Sequence, residues 1–540
     1  MKTVDKYTGT QVNRYTGKHV HRYTRAHATR NLALSAVEGT QHATFFFIFL
    51  LSSFILISCS SPTAPLPTPS PVTASPVTPT ATSTPVTPSP TPVPPSTRPR
   101  YTLDLQLNYA TNSAYVNETI VYTNQSADTL TNLVLGVEPT CTHSFILSEL
   151  YVDQLPITNY VFDTQNIQAY IRHRLEIPLA QPLPPGGKAA IQIGYSLILP
   201  VVANFADEYS VCSQIFGYTE KQINLVDWYP FVAPYINGKF VLHTPQFYGE
   251  HLTYEAADFD VTVTITNGTN VVIASSGEEI SSEAADTHRF RLEAGRTFAL
   301  SFSDSFQVAS ANVGDVAIYS YYFPSYETSA QAALAATAQS FEIYSQRFGP
   351  YPHKTLSVVQ GDFEDGMEYS ALYFHSRGIY NNYDGTLVNH LTAVAVHETA
   401  HQWWFEQVAN DQYLEPWLDE SLATFSEIVY YETVQPAALD SWWWTYRFTP
   451  FEPAKPVDMD IDDWYGGYTA YQNLVYLNGA RFLQELRALI GEDAFFAFLR
   501  DYLAQMRGKV ATSADFFAIL RQHTSADLSG LIAQYFQNPH

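Results

Sequence analysis

Two histidines four residues apart, in the stretch V-A-V-H-E-T-A-H-Q-W-W, constrain the fold of this chain more than any other feature. His397 and His401 can face one ion only if they lie one turn apart on the same side of a helix, so a helix is predicted here. Glu398 lies about 100° further round that helix. This H-E-x-x-H pattern predicts two zinc ligands and a general base, and a helix with two ordinary histidines is the alternative.

A third ligand is needed, because a catalytic zinc takes three protein ligands and keeps an open position for water. Eighteen residues separate His401 from Glu420, which lies near the start of a second predicted helix. Two histidines and one glutamate are the ligand set of thermolysin-like zinc sites. A first-turn acid favoured by the helix dipole is the alternative. Together with the upstream motif, the spacing favours Glu420 as the third ligand.

The first hundred residues predict a sorting signal and a spacer. Residues 45–58 are fourteen apolar or small residues, short for a membrane span and typical of a signal peptide. They end in L-I-S-C, which resembles the lipobox of bacterial lipoproteins, so residues 1–58 are predicted to be a leader and Cys59 to be lipidated. An ordinary signal peptide is the alternative. Residues 59–100, rich in Pro, Thr and Ser, predict an extended linker.

Net charge and cysteine content limit the expected partners and the cellular compartment of the protein. The net charge of −24 predicts repulsion of nucleic acid and excludes it as an expected partner. An exported protein, anchored by lipid outside the cytoplasm of a bacterium, is the expectation. In such an oxidising setting Cys141 and Cys212 can form a disulfide, and two buried free thiols are the alternative.

Hydrophobic periodicity divides the rest of the chain. In residues 101–312 apolar residues alternate with polar ones, as in Leu103–Tyr109 and Phe259–Ile265, and Asn267-Gly268 predicts a hairpin turn. An antiparallel β sandwich or saddle is therefore expected.

The period becomes helical in residues 313–540, which predict a mostly helical α+β catalytic domain with a thermolysin-like site. Its predicted elements are helices at Ser329–Phe348, Leu391–Phe405, from Leu418, 480–506, 513–522 and 526–536, and a strand at Thr355–Gln360.

The motifs together resemble the zinc aminopeptidases that include aminopeptidase N and leukotriene hydrolase, a group of gluzincin metallopeptidases. Besides the H-E-x-x-H pattern and its distant glutamate, the chain has G-M-E-Y at Gly366–Tyr369 and Y-Q-N-L-V-Y-L-N-G at Tyr471–Gly479. The stretch F-G-P-Y-P at Phe348–Pro352 is also typical of the family. The resemblance covers residues 315–540 well and the β region loosely.

The resemblance implies one zinc ion per chain and roles for several further residues. Glu398 would be the base, and the phenol of Tyr476 would bond the carbonyl oxygen in the transition state. Glu368 would bind the α-ammonium group of a peptide substrate. The predicted substrate-binding set is Gly366, Met367, Glu368 and Tyr471. Glu427 is predicted either to orient a ligand histidine or to be a surface acid.

Zinc-dependent removal of N-terminal residues from peptides outside the cytoplasm is thus the leading expectation. Without a large C-terminal domain over the cleft, an open-cleft zinc endopeptidase is the nearest alternative. An inactive peptidase-like binding module is the alternative of another class, although the ligands and the base are all present.

Overall fold

The computed structural model describes residues 96–162, 173–202, 214–246, 248–284, 286–364, 366–448, 456–461 and 467–539. The predicted leader, the lipidation site Cys59 and the linker up to residue 95 lie outside these ranges, as does Cys212. Cys141 is disulfide-bonded, which agrees with the predicted bridge, while the pairing with Cys212 stays a prediction.

The β region is built on a large, mostly antiparallel sheet. Leu103, Leu105 and Leu107 are fully buried in its core, so the alternation of the sequence sets the buried face. Among the described residues this sheet has eight strands, in the order Glu278–Ala284, Thr287–Gly295, Ala257–Thr266, Arg100–Asn108, Ser113–Thr123, Lys188–Ile198, Phe145–Val152 and Leu155–Pro156. Arg100–Asn108 and Ala257–Thr266 pair in parallel, and the other pairs are antiparallel.

Smaller sheets pack with it, as a sandwich or saddle requires. One has the order Val272–Ser275, Leu300–Ser303, Ile223–Leu225 and Gly217–Tyr218; another has Phe231–Val232, Leu130–Gly136, Arg174–Leu183 and Val161–Phe162; Tyr235–Ile236 pairs with Lys239–Phe240. The predicted hairpin at Asn267-Gly268 is wrong. Ala257–Thr266 stays in the large sheet, whereas Val272–Ser275 pairs with Leu300–Ser303 in a different one. The turn therefore carries the chain between two layers.

A mixed sheet joins the β region to the helical region. Its order is Gln307–Val313, Val316–Tyr322, Thr355–Gln360, Leu372–His375 and Met367–Tyr369. The strand Thr355–Gln360 was predicted with the same bounds. Val358 packs into the core beneath the helices, whereas its neighbour Val359 packs into the β core. At this central strand both faces of the sheet are thus buried. The last strand of the sheet, Met367–Tyr369, lies at the boundary of the two regions and is called the edge strand below.

The helical region follows the predicted order with two corrections. The described α-helices are Glu327–Arg347, Arg377–Asn381, His390–Ala400, Trp417–Val434, Pro436–Ala438, Tyr468–Gln472, Gly479–Ile490, Glu492–Met506, Ser513–His523 and Ser529–Tyr535. Short 3-10 helices lie at Tyr109–Thr111, Glu138–Thr140 and Pro324–Tyr326, π-helices at Leu439–Phe448 and Asn473–Asn478, and Ala409–Asn410 pairs with Val510–Ala511.

The helix that carries the motif, His390–Ala400, ends five residues before the predicted end at Phe405; it is called the motif helix below. His401 caps it and keeps helical angles, so its side chain still lies one turn from His397. The single helix predicted for 480–506 is two helices. Gly491 has φ 88° and ψ 154°, an extended conformation outside the helical region that only glycine adopts readily, and it breaks the run.

A fully buried arginine binds the two regions together. The Arg296 guanidinium, from the β region, donates hydrogen bonds to the backbone carbonyls of Glu406, Gln407 and Lys509 in the helical region and to that of Tyr254. A buried charge is costly unless its donors are hydrogen-bonded, so these bonds keep the two regions in one relative position. No helix among the described residues is long and apolar enough to span a membrane.

Candidate metal centre and substrate cleft

The three predicted ligands meet at one point in the helical region. His397 and His401 come from the motif helix and its cap, and Glu420 comes from the first turn of Trp417–Val434. All three side chains are buried. The motif helix begins where the Asn389 side chain accepts a hydrogen bond from the Thr392 amide, which fixes its start and hence the direction of the two imidazoles.

The separations of the donor atoms fit a tetrahedral zinc ion. His397 Nε2 lies 3.1 Å from His401 Nε2 and 3.1 Å from Glu420 Oε2, and His401 Nε2 lies 3.5 Å from that oxygen. Ligands at zinc–nitrogen and zinc–oxygen distances of about 2.0–2.1 Å on a tetrahedron are about 3.3 Å apart. Two nitrogens and one oxygen are also ligand atoms that zinc prefers. The site therefore fits the predicted ion.

The electrostatics of the ligand set also favour a cation. Burial alone would lower the pKa of His397, but hydrogen bonds with Glu420 and Glu427 raise it to about 9. Burial would raise the pKa of Glu420, but His401 and His397 hold it at about 2. The carboxylates thus stabilise positive charge between these groups, and a dication supplies it with the histidines neutral.

Glu427 orients a ligand, which settles the choice left open by its position in the sequence. His397 Nδ1 lies 3.1 Å from Glu427 Oε1, and Trp443 Nε1 donates to Glu427 Oε2 at 3.0 Å. Glu427 is fully buried, so it is not a surface acid. A carboxylate on the far nitrogen of a ligand histidine fixes the tautomer that leaves the near nitrogen free for the metal. On the other ligand, His401 Nδ1 pairs with the Trp404 carbonyl at 3.0 Å.

Glu398 lies beside the ligands with a free oxygen. Its Oε2 is buried and has no hydrogen-bond partner among the described residues. Burial raises the pKa of Glu398 to about 8; His397 and His401 oppose the rise, and nearby carboxylates add to it. A carboxyl whose pKa is near neutrality in a dry site is suited to exchanging protons at physiological pH.

The two predicted tyrosines border the same space. Tyr476 Oη donates to Glu420 Oε1 at 2.5 Å, and its ring stacks on His397 with centroids 5.8 Å apart. Tyr471 lies behind it, with ring centroids 6.0 Å from Tyr476. Tyr476 is thus the tyrosine within reach of the metal ligands, and Tyr471 packs against the Tyr248 ring of the β region at 5.4 Å.

The edge strand runs past the base. Gly366 lies just before it, and a Cβ at this position would be 3.9 Å from Glu398 Oε1. Glu368 is buried, and one of its oxygens lies within 4.8 Å of a His401 nitrogen. Met367, on the opposite face of the strand, packs against the β core. Strand alternation therefore directs Glu368 toward the metal ligands and Met367 away from them.

Neighbouring acids are held elsewhere. Asp362 Oδ1 pairs with Lys221 Nζ at 2.9 Å, and Glu364 accepts hydrogen bonds from Arg377 Nε at 3.0 Å and the Gly378 amide at 2.8 Å. Because Asp362 and Glu364 are bonded elsewhere, Glu368 is the acid among the described residues of this stretch that faces the metal ligands.

Two functional neighbours escaped the sequence reasoning. Asp419 is fully buried beside Glu420, and Gln412 Nε2 donates both to Asp419 Oδ2 at 2.7 Å and to Glu368 Oε1 at 3.2 Å. This amide thus links the edge strand to the helix that carries the third ligand. The two adjacent acids in W-L-D-E were the available signal for Asp419, whereas nothing local marks Gln412.

Glu250, from the β region, also escaped it. Its Oε2 is buried without a hydrogen-bond partner among the described residues. Burial raises its pKa well above the usual value, and Glu420, Glu368 and Asp419 add to the rise. The preceding residue, Gly249, would bring a Cβ within 3.1 Å of Tyr471 Oη. Glu250 therefore adds a further buried carboxyl group to the acidic cluster beside the metal ligands.

The described residues thus form a β region followed by a helical region that carries a buried zinc site made of His397, His401 and Glu420. Residues 332–535 match the model of the peptidase family M1 domain. The chain is 26% identical over 217 residues to aminopeptidase N of Streptomyces lividans, an alignment that spans 37% of this chain and 25% of that protein. It is 24% identical over 229 residues to probable aminopeptidase 1 of Sulfurisphaera tokodaii, spanning 38% and 28%.

The chain thus spans about a quarter of the length of these curated relatives. Solved structures match over more of the chain. An M1 zinc metallopeptidase from Deinococcus radiodurans has a TM-score of 0.59 at 18% identity, covering 82% of this chain and 94% of that one. A mutant of the same enzyme bound to the substrate Tyr-Ser-Ala has a TM-score of 0.58 at 17% identity, covering 82% and 95%. These matches confirm the predicted β-then-α+β fold class.

Proposed function

We propose that this chain is a zinc-dependent aminopeptidase that removes N-terminal residues from peptides. One observation carries the proposal: the Glu368 carboxylate lies within 4.8 Å of His401, so an α-ammonium group bound to Glu368 is held close to the metal ligands. A peptide anchored in this way presents its first peptide bond to Glu398. The names of the curated relatives and the peptide-bound solved structure support the same class of substrate.

The side chains account for the chemistry of hydrolysis. Zinc, when bound, supplies the Lewis-acid activation of water and carbonyl that such a site requires. Glu398 accepts the proton of the attacking water and then gives it to the leaving amine. Tyr476 donates a hydrogen bond to the carbonyl oxygen as charge develops on it. Burial raises the pKa of Glu368 and Glu250, and a bound α-ammonium group would stabilise their charged form, so the cleft favours a positively charged N-terminus.

A comparison of two forms of one peptide tests the proposal. The zinc-loaded protein is expected to release the first residue of a free-amine peptide and to act much more slowly on its N-acetylated twin. Glu368→Ala should lower kcat/KM for the free-amine form by roughly one to two decades, since a hydrogen bond to a charged group contributes about 1.5–3 kcal/mol. The acetylated form makes no such bond and should change little.

Glu364→Gln is the matched control, because Glu364 lies in the same acidic stretch but is bonded to Arg377. It should leave the ratio of the two rates near that of the wild type. Equal rates on both peptides with internal cleavage would replace the proposal with an open-cleft endopeptidase. A protein that binds zinc and cleaves neither form would instead be a binding module.

We further propose that the protein is exported and anchored by lipid at Cys59. The support is sequence alone: the apolar run 45–58, the L-I-S-C ending and the Pro-rich linker. In a bacterial host, Cys59→Ala should release the protein from the membrane fraction or leave the precursor uncut. A mature N-terminus mapped to a residue other than 59 would contradict the anchor.

A further inference from the structure

The edge strand that carries Glu368 is short and has one neighbour. Its three residues, Met367–Tyr369, pair antiparallel with Leu372–His375, and it is the last strand of its sheet in the part of the chain that the structure describes. Ser370 and Ala371 form the turn between the two strands, with Ala371 at φ 54°. Three residues with one pairing partner leave the position of Glu368 weakly defined by the sheet alone.

Ser370 is held from the β region, because its amide donates to Thr297 Oγ1 and its hydroxyl accepts from the Thr297 amide. A side chain next to a metal ligand adds a constraint from the helical region. Gln402 follows His401 directly and is fully buried. Its Nε2 donates to the Tyr369 carbonyl at 3.1 Å, and its Oε1 accepts from the Ala371 amide at 2.9 Å. The amide thus makes the two hydrogen bonds that a neighbouring strand would make with this turn. The Gln402 backbone is itself fixed, because its N–H donates to the Thr399 carbonyl of the motif helix.

Two consecutive residues therefore position the metal ion and the strand that carries the amine-binding Glu368. His401 binds the metal, and Gln402 holds Tyr369, which directly follows Glu368, and Ala371. The path from the metal ligand to the amine anchor runs through the His401–Gln402 peptide bond, the buried Gln402 side chain, its hydrogen bond to the Tyr369 carbonyl and the backbone from Tyr369 to Glu368. Such a short path keeps the separation between His401 and Glu368 constant.

We propose that Gln402 is the positioning residue that fixes this separation, and that it thereby limits each cleavage to a single N-terminal residue. The inference rests on the proposed aminopeptidase function and deepens it. Gln402 does not touch the substrate; it acts through Glu368. Its loss lets the edge strand shift while the ligands remain, so an α-ammonium group is held at the wrong distance from the reacting carbonyl.

Gln402→Met tests this, because methionine keeps the length of the side chain and removes both hydrogen bonds. Zinc content should stay at one per chain. Misplacement of a reacting group by about 1 Å can cost on the order of a hundred-fold in rate, so kcat/KM for a free-amine peptide should fall roughly ten- to hundred-fold. The fall on the N-acetylated twin should be much smaller, and dipeptide release should become detectable beside single residues.

Gln360→Met is the matched control. Gln360 is a fully buried glutamine of the same sheet, and its Oε1 accepts from the Phe323 amide, away from the edge strand. It should lose stability without changing the preference for the free-amine peptide. If Gln402→Met does not fold, Gln402→Asn keeps the amide one methylene shorter and should show the same selective loss.

A double variant separates positioning from a general structural role. In the Glu368→Ala background, Gln402→Met should cost less than about twofold more on the free-amine peptide, because residues that act through one another are not additive. Losses that multiply, equal losses on both peptides, or loss of zinc would each overturn the inference. A wild-type enzyme without a preference for the free amine would overturn the proposed function, and this inference with it.

Discussion

At the scale of single residues, the ligands are fixed by partners that are themselves bonded. Trp443 bonds Glu427, and Glu427 bonds His397 on the side away from the other ligands. Glu427→Gln should therefore weaken zinc binding by roughly 10- to 100-fold, the usual effect of losing such a carboxylate. Competition with a chelating indicator measures the affinity. Glu432→Gln, on the same helix but bonded to Arg487, should change it little; an equal loss in both variants would mean that the helix and not the hydrogen bond is responsible.

At the scale of elements, a single glycine decides whether two helices form or one. Gly491 has φ 88°, and a Cβ there would meet no atom within 4 Å, so the cost of a side chain is conformational alone. Gly491→Ala should destabilise the protein by about 1–3 kcal/mol. Gly530→Ala, within the helix Ser529–Tyr535 and also without nearby atoms, should be neutral or slightly stabilising. Chemical unfolding of both variants gives the comparison, and the same sign in both would contradict the assigned role of Gly491.

At the scale of the whole molecule, folding of this strongly acidic chain buries several carboxyl groups. Burial raises the pKa of Asp227 to about 6, although the hydrogen bond from Tyr254 opposes the rise. An unfolded aspartate loses its proton near pH 4. Between these values the folded state binds more protons, so the Asp227 contribution to stability falls as the pH rises from about 4 to about 6.

Asp227→Asn should remove this dependence. The free energy of unfolding of the variant, relative to the wild type, should rise by up to about 3 kcal/mol between pH 4 and pH 7. Asp260→Asn gives the opposite sign, because hydrogen bonds from Arg289 lower the pKa of Asp260. Its loss should destabilise the protein at neutral pH and matter less as the pH falls below about 4. If the stability of the two variants changed with pH in the same direction, burial and hydrogen bonding would not explain the pKa shifts of Asp227 and Asp260.

The sequence by itself determined what depends on local spacing. The interval between His397 and His401 requires a helix, and the alternation at Leu103, Leu105 and Leu107 requires a strand with one buried face, since side-chain direction follows directly from backbone period. Glu420, and the strand at Thr355–Gln360, were found for the same reason. The pairing of strands after Asn267-Gly268 was not, because a turn signal gives the bend in the chain and not the sheet that the next strand joins.

Only the tertiary structure decided what each buried polar group meets. From the sequence, Glu427 could equally be a surface acid or the partner of a ligand histidine. The fold buries its helix and places its carboxylate against His397. Glu250 and Gln412 carry no local signal, since each acts on Glu368 across more than forty positions of chain. Gln402 directly follows the H-E-x-x-H motif, and the sequence gives no sign of its role. Its partners, Tyr369 and Ala371, lie about thirty residues away, and a buried amide takes whichever donors and acceptors folding brings to it.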